Sequence, residues 1–228
     1  MLVKNKIVAL SLTAMATVGT LFGGLQVFAA NTSNFTQTIN PGVLSIDIVD
    51  GTTYVAVGSP SVTFPATTFS FNCQTVTSTF GTATQTIYIK NPDASDTGWV
   101  ASIAGSAVTA VWDGAASDYD FNDPTGTGCT DGADVGDTVG GQMTIDPSVG
   151  TLSAGSCLSC ATTNITKGSS SSFSQGTTDS ITLLNAAAGS SDIGDWKFTG
   201  VAISQKIPAE QAAASDYDIN MVVSIVAQ

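Results

Sequence analysis

Residues 86–105 read TIYIKNPDASDTGWVASIAG. Ile87 and Ile89 alternate with Tyr88 and Lys90. After a segment dense in turn formers, Asn91 to Gly98, Trp99, Ala101 and Ile103 alternate with Val100, Ser102 and Ala104. Successive side chains of a strand point to opposite sides, so period-two alternation marks a strand with one buried face. Two such runs around a Pro/Asp/Gly turn predict a β-hairpin. Trp99 enters directly after the turn and is expected to cap one end of the core.

The same pattern recurs outward from this stretch. Leu44, Ile46 and Ile48 form a strand that ends at Asp50-Gly51, and Tyr54–Val57 answers it across a short turn. Val62, Phe64, Phe69 and Phe71 have strand spacing around Pro65. Val76–Phe80 leads into the central hairpin, Val108–Trp112 makes a short strand, and Met143 and Ile145 mark another. Ile181–Leu184 reads as a strand or a short helical turn. Trp196, Phe198, Val201 and Ile203 read as one strand stopped by Pro208, since proline ends a ladder. Tyr217, Ile219, Met221, Val223 and Ile225 face one way, and their neighbours face the other. Ser169–Gln175 has low complexity and reads as a mobile loop; Glu210–Ser215 has room for one helical turn. Many short strands separated by turn signals predict an all-β fold, an antiparallel β-sandwich or barrel.

The N-terminus reads differently. Lys4 and Lys6 precede an apolar run from Ile7 to about Leu25, which ends in Val27-Phe28-Ala29-Ala30. A basic start, an apolar middle and small residues at the junction predict a secretory signal peptide, residues 1–29, cleaved after Ala29. No later stretch approaches the roughly 20 apolar residues of a membrane span, so no transmembrane span is expected in the mature chain. The remainder, 30–228, is the length of one domain, with an acidic loop at about 113–141.

Two of the six basic residues lie in the signal, which leaves four lysines against 18 acidic residues and takes the formal charge from −12 to −14. A chain this acidic repels phosphate backbones, so nucleic acid is not an expected partner. The chain has no histidine, which removes the usual general base and any Ser-His-Asp arrangement. An enzyme is therefore not expected; a secreted hydrolase built on paired Asp residues is the weakest of the readings considered. Four cysteines, Cys73, Cys129, Cys157 and Cys160, are an even count in an exported chain and predict disulfides. Three pairings are open, and Cys129 with Cys157 or Cys160 is the favoured one. Cys157-Leu-Ser-Cys160 is a C-x-x-C pattern. It lacks the βαβ context of a thioredoxin-like site, and as half of a zinc site it lacks a second pair or a histidine.

Within the acidic loop, Asp118, Asp120, Asn122 and Asp123 place oxygen ligands at the spacing of a calcium loop, although the glycine and terminal glutamate of an EF-hand are missing. They are the candidate calcium ligands; the other reading of the segment is a solvated acidic loop without a metal. Trp99 and Trp112 are candidates for stacking on a carbohydrate, with Trp112, next to Asp113, the better placed for exposure.

The hairpin ending TGWVASIAG and the C-terminal part DWKFTGVAISQKIPAEQAAASDYDINMVVSIVAQ resemble the first half and the closing segment of the WxL-domain family of bacterial cell-surface proteins. The likeness is that of a divergent member. Val100-Ala101 follows Trp99 where the family has Leu two places on, and the last strand contains no Trp. The resemblance implies a secreted, non-enzymatic β-domain associating non-covalently with the bacterial cell wall or envelope. Its partners would be a wall polymer such as peptidoglycan, or other surface proteins. The alternative reading is a self-assembling surface-layer or fibre subunit whose strand edges pair between molecules. N-terminal sequencing of the exported protein is expected to start at Ala30; a start at Met1 would exclude the signal peptide.

Overall fold

A computed structural model of the chain describes residues 36–93, 96–124, 128–132, 138–157 and 160–228. The signal peptide predicted at 1–29 lies outside the described residues, as do Asp134 and Asp137 of the acidic loop. Met1–Asn40 and Pro41–Gln228 form separate units. In the first, the described residues 36–40 are exposed and irregular. The strands belong to the second: β1 (Ser45–Val49), β2 (Gln74–Phe80), β3 (Thr86–Asn91), β4 (Gly98–Gly105), β5 (Val111–Trp112), β6 (Tyr119–Asp120), β7 (Gln142–Asp146), β8 (Thr151–Ala154), β9 (Ile165–Lys167), β10 (Ser171–Ser172), β11 (Ser180–Ala187), β12 (Gly194–Thr199), β13 (Val201–Ile207) and β14 (Met221–Ala227).

They form three four-stranded antiparallel sheets, ordered β1-β3-β12-β8, β10-β7-β13-β2 and β14-β4-β11-β9, and a small β5-β6 pair. The fold is all-β as expected, and since each larger sheet keeps open edges it is sandwich-like, not a closed barrel. One apolar cluster takes Ile87, Ile89, Trp196 and Phe198 from the first sheet, Met143, Ile145, Val201 and Ile203 from the second, and Trp99, Ala101, Ile103, Ile181, Leu183 and Leu184 from the third. Two of the longer strands show the expected alternation without error: Ile87 and Ile89 are buried on β3, and the Met221, Val223 and Ile225 side of β14 packs inward.

The central stretch is not a hairpin. β3 pairs with β1 and β12, whereas β4 pairs with β11 and β14. The segment between them carries the chain from one sheet to another, so the apolar faces of β3 and β4 meet through the core and not side by side. Alternation reports only that each strand has one buried face, and both arrangements satisfy it. Trp99 packs against Trp196 of β12 with ring centroids 5.5 Å apart. Both indoles have no exposed surface, and each N–H finds a backbone carbonyl: Trp99 Nε1 donates to Asp192 O at 3.2 Å and Trp196 Nε1 to Ala161 O at 2.9 Å.

Other expectations change for local reasons. Trp196 to Ile203 is two strands, with Gly200 (φ 76°) between them turning the chain from the first sheet into the second. Ile181–Leu184 is strand throughout, and a bulge between Thr182 and Leu184 lets both Leu183 and Leu184 face the core. Ser169–Gln175 is not free: Ser171 and Ser172 pair with β7, and Phe173 is fully buried against Phe121, centroids 5.1 Å apart. Glu210–Ser215 forms no helical turn, and Val62–Phe71 forms no strand, with Phe69 and Phe71 exposed. Tyr54–Val57 meets β1 through a single bridge, Val49 to Ala56. The favoured cysteine pairing is replaced by Cys73–Cys129 and Cys157–Cys160, because the fold brings the start of β2 to the acidic segment.

Removing a fully buried indole leaves a cavity and takes one of its two side-chain donors from the Asp192 carbonyl. Trp99→Ala is expected to cost about 4 kcal/mol in urea unfolding. Val226→Ala, on the exposed side of β14, is expected to stay within about 0.5 kcal/mol.

Candidate functional site

A groove of about 530 Å³ opens beside the β5-β6 pair. Its walls are the two irregular segments that sequence reading took for strand and helix, around Val62–Ser70 and Gln211–Ser215, and its floor is aromatic. Trp112 of β5 stacks on Tyr119 of β6 (centroids 5.7 Å, planes 9° apart), Phe64 meets Trp112 edge-on at 5.6 Å, and Tyr217 meets Tyr119 edge-on at 5.0 Å. Gln211 anchors the wall: its Nε2 donates to Ser117 O at 3.0 Å and to the Tyr217 hydroxyl at 2.8 Å, and that hydroxyl donates to Ala212 O at 2.7 Å. Burial, and after it the neighbouring Tyr217, push the Tyr119 hydroxyl well above its ordinary range, so it stays a neutral donor. Trp112 is 8 % exposed, and its buried Nε1–H has no acceptor among the described residues. An unmatched buried donor is costly, and an oxygen admitted beside it would satisfy it.

Of the two tryptophans proposed to stack on a ligand, only Trp112 lines the groove. Trp99 belongs to the core, where it has no surface to offer. Phe64, Tyr119 and Tyr217 were not singled out from sequence. Phe64 was read as a strand residue, and the segments that carry the others come together only in the fold.

Residues 119–123 of the acidic segment are interior, whereas 115–118 are exposed. Residues 119–123 run as an extended strip held on several sides: Asp120 N donates to Gly140 O, Met143 N to Phe121 O, Gln175 N to Asn122 O, and Gln205 Nε2 to Asp120 O. Gly141 permits this closeness, since a Cβ there would lie 2.1 Å from Asp120 O. The side chains of Asp120, Asn122 and Asp123 are fully buried, whereas Asp118 is exposed and accepts only a long bond, 3.3 Å, from Gly114 N. Asp120 Oδ1 accepts from Phe121 N at 2.6 Å and Asn122 N at 3.1 Å. Asn122 Nδ2 donates to Val108 O at 2.8 Å, while its Oδ1 has no donor among the described residues. Of the four candidate calcium ligands, Asp118 therefore stands apart from the other three. Lys167 and Lys197 bond carbonyls of residues 148, 150 and 51.

A third polar cluster surrounds Asp195 on β12, a residue that no sequence pattern links to the cysteines. Its Oδ1 accepts from Cys157 N at 2.8 Å; its Oδ2 accepts from Ser156 N at 2.8 Å, from Ser156 Oγ at 2.6 Å and from the Tyr88 hydroxyl. Its own N–H meets Cys160 Sγ at 3.3 Å. Burial pushes the Asp195 carboxyl upward, but the bonds from Ser156, Tyr88 and Cys157 outweigh it and hold the group below the usual carboxylate range.

Comparison with protein-family models, with curated proteins and with solved structures finds no match for this chain. Among the described residues no helix is long and apolar enough to cross a membrane.

A calcium ion held by Asp120, Asn122 and Asp123 would stabilise the folded form by about 2.7 kcal/mol at 100 times its Kd, several degrees in Tm for a domain of this size. If these oxygens hold calcium, millimolar calcium raises Tm relative to sodium of matched ionic strength, and Asp120→Asn removes the difference while Asp47→Asn, at an exposed position of β1, keeps it. Equal melting temperatures in calcium and sodium would strike the metal from this segment.

Proposed function

We propose that this chain is an exported, non-catalytic cell-surface domain that attaches non-covalently to a cell-wall polymer through the aromatic groove. The observation that carries the reading is the floor of Trp112, Tyr119, Tyr217 and Phe64 with an indole N–H that has no acceptor among the described residues. Flat apolar rings suit the C–H faces of sugar units, and a buried N–H suits a ring or hydroxyl oxygen. The charge of the mature chain disfavours an anionic polymer and favours the neutral glycan strands of peptidoglycan. The resemblance to the WxL-domain family points the same way, as does the signal sequence.

A second reading has its own observation. β14, MVVSIVA, is an uncharged edge strand, paired only with β4 among the described residues, with Val222 and Val226 49 % and 65 % exposed. An edge of this kind is a template for pairing between copies, which is the fibre or surface-layer alternative.

The two readings separate in one pair of measurements. In the attachment reading the exported protein co-sediments with purified peptidoglycan and stays monomeric in solution. Trp112→Phe, which keeps an aromatic ring of smaller size and loses the N–H, then weakens retention by about tenfold, the equivalent of about 1.4 kcal/mol. Val226→Lys leaves it unchanged. Retention equal to that of an unrelated acidic protein would discard the attachment reading, and Val226→Lys abolishing filaments seen by electron microscopy would favour the assembly reading.

A further inference from the structure

The cluster around Asp195 lies outside the groove, and the reading above gives it no role. Cys157 Sγ, Cys160 Sγ and a carboxylate oxygen of Asp195 lie within 4.8 Å of one another, the only such trio of Cys, Asp or Glu side chains among the described residues. We propose that these three side chains form a redox-gated site for a thiophilic divalent cation, with zinc as the best fit. The site is closed while the sulfurs are bonded to each other and is opened by a dithiol reductant.

The geometry is close to what zinc requires. Cys160 Sγ stands 3.8 Å from Asp195 Oδ1, against the roughly 3.6 Å that a tetrahedral ion imposes between a sulfur at about 2.3 Å and an oxygen at about 2.1 Å. The two Cα atoms are 5.6 Å apart, so rotation about the Cα–Cβ bonds separates the sulfurs without moving the backbone. C-x-x-C is itself a common zinc-ligand spacing. What the sequence lacked was a third ligand nearby, and β12 supplies it.

The carboxylate is already oriented. Ser156 and Tyr88 occupy Oδ2, and Cys157 N takes one lone pair of Oδ1, which leaves the other for a metal. Bonds of this kind hold ligands in place around metal centres and tune their affinity. Two glycines make the room: a Cβ on Gly194 would lie 2.2 Å from Cys160 Sγ, and one on Gly155 would lie 2.8 Å from Asp195 Oδ2. Both cysteines are half-buried, so an ion and a reductant can reach them.

The steps balance. A dithiol passes two electrons and two protons to the Cys157–Cys160 disulfide and becomes a disulfide itself. The two thiols then bind the dication and release two protons, with Asp195 as third ligand and water in the fourth position. The bonded and metal-bound states exclude each other, because the same sulfur electrons serve both.

The test uses the exported chain, oxidised or reduced with dithiothreitol and freed of reductant without air, and titrated with zinc against a chromophoric chelator. One zinc per reduced chain and none per oxidised chain are expected. Cys157→Ser abolishes uptake, Cys73→Ser keeps it, and Asp195→Asn weakens it by about tenfold or more. Near-UV circular dichroism checks that each variant is folded. X-ray absorption of the zinc-loaded parent, which needs no variant, is expected to count two sulfurs and two oxygens. Zinc uptake that is equal in oxidised and reduced protein overturns the proposal, as does a four-sulfur shell, or undiminished affinity in folded Asp195→Asn.

Discussion

The contact between Trp99 and Trp196 is the constraint on which the rest of the structure depends. The two rings come from β4 and β12, strands of different sheets, and meet in the interior at 5.5 Å. Such a pair contributes about 0.5–1.5 kcal/mol beyond the area it buries. Its larger effect is on the loops. A buried indole N–H is stabilised by an acceptor, and for this pair both acceptors are carbonyls of connecting segments, Asp192 and Ala161. The segment around Asp192 is thereby committed to one conformation. The Asp192 carbonyl also accepts from Asn91 Nδ2 at 2.7 Å, and its Oδ2 accepts from Gly98 N at 3.0 Å, so a single residue holds the end of β3 and the start of β4. Burial, and after it the neighbouring Asp96, push that carboxyl above its ordinary range, a cost carried for the sake of the joint.

The same logic extends to Ala161, which follows Cys160. The Cys157–Cys160 bridge, the acceptor for Trp196 and the start of β12 are thus one unit, with Asp195 at its centre. The second disulfide acts at longer range. Cys73–Cys129 closes 56 residues of sequence and ties the start of β2 to the acidic segment. That segment lies partly inside the protein, bonded to both β7 and β13, and supplies Tyr119 to the floor of the groove. Acidic strip and groove are neighbours because β6 serves both. The irregular segments at the groove's rim follow the usual division of labour, in which a rigid scaffold positions loops that carry contacts.

The sequence by itself determined the class of the fold and the inward face of the longest strands. Alternation at Ile87 and Ile89, at Trp99, Ala101 and Ile103, and along Tyr217 to Ile225 is a local consequence of strand geometry, so it survives without knowledge of partners. Two departures from alternation were not resolved by the sequence reading: Phe198 and Val201 are out of phase because Gly200 turns the chain, and Leu183-Leu184 both point inward because of a bulge. Only the tertiary structure decided which strands share a sheet, since a strand pairs through backbone groups that every residue carries. For the same reason the hairpin of 86–105 opened into a crossing between sheets, and Cys129 found Cys73. The polar clusters follow suit. Asp118, Asp120, Asn122 and Asp123 are adjacent in sequence, yet burial separates Asp118 from the rest. Asp195 and Cys160 are 35 residues apart in sequence, yet they meet, because their proximity depends on where β12 begins.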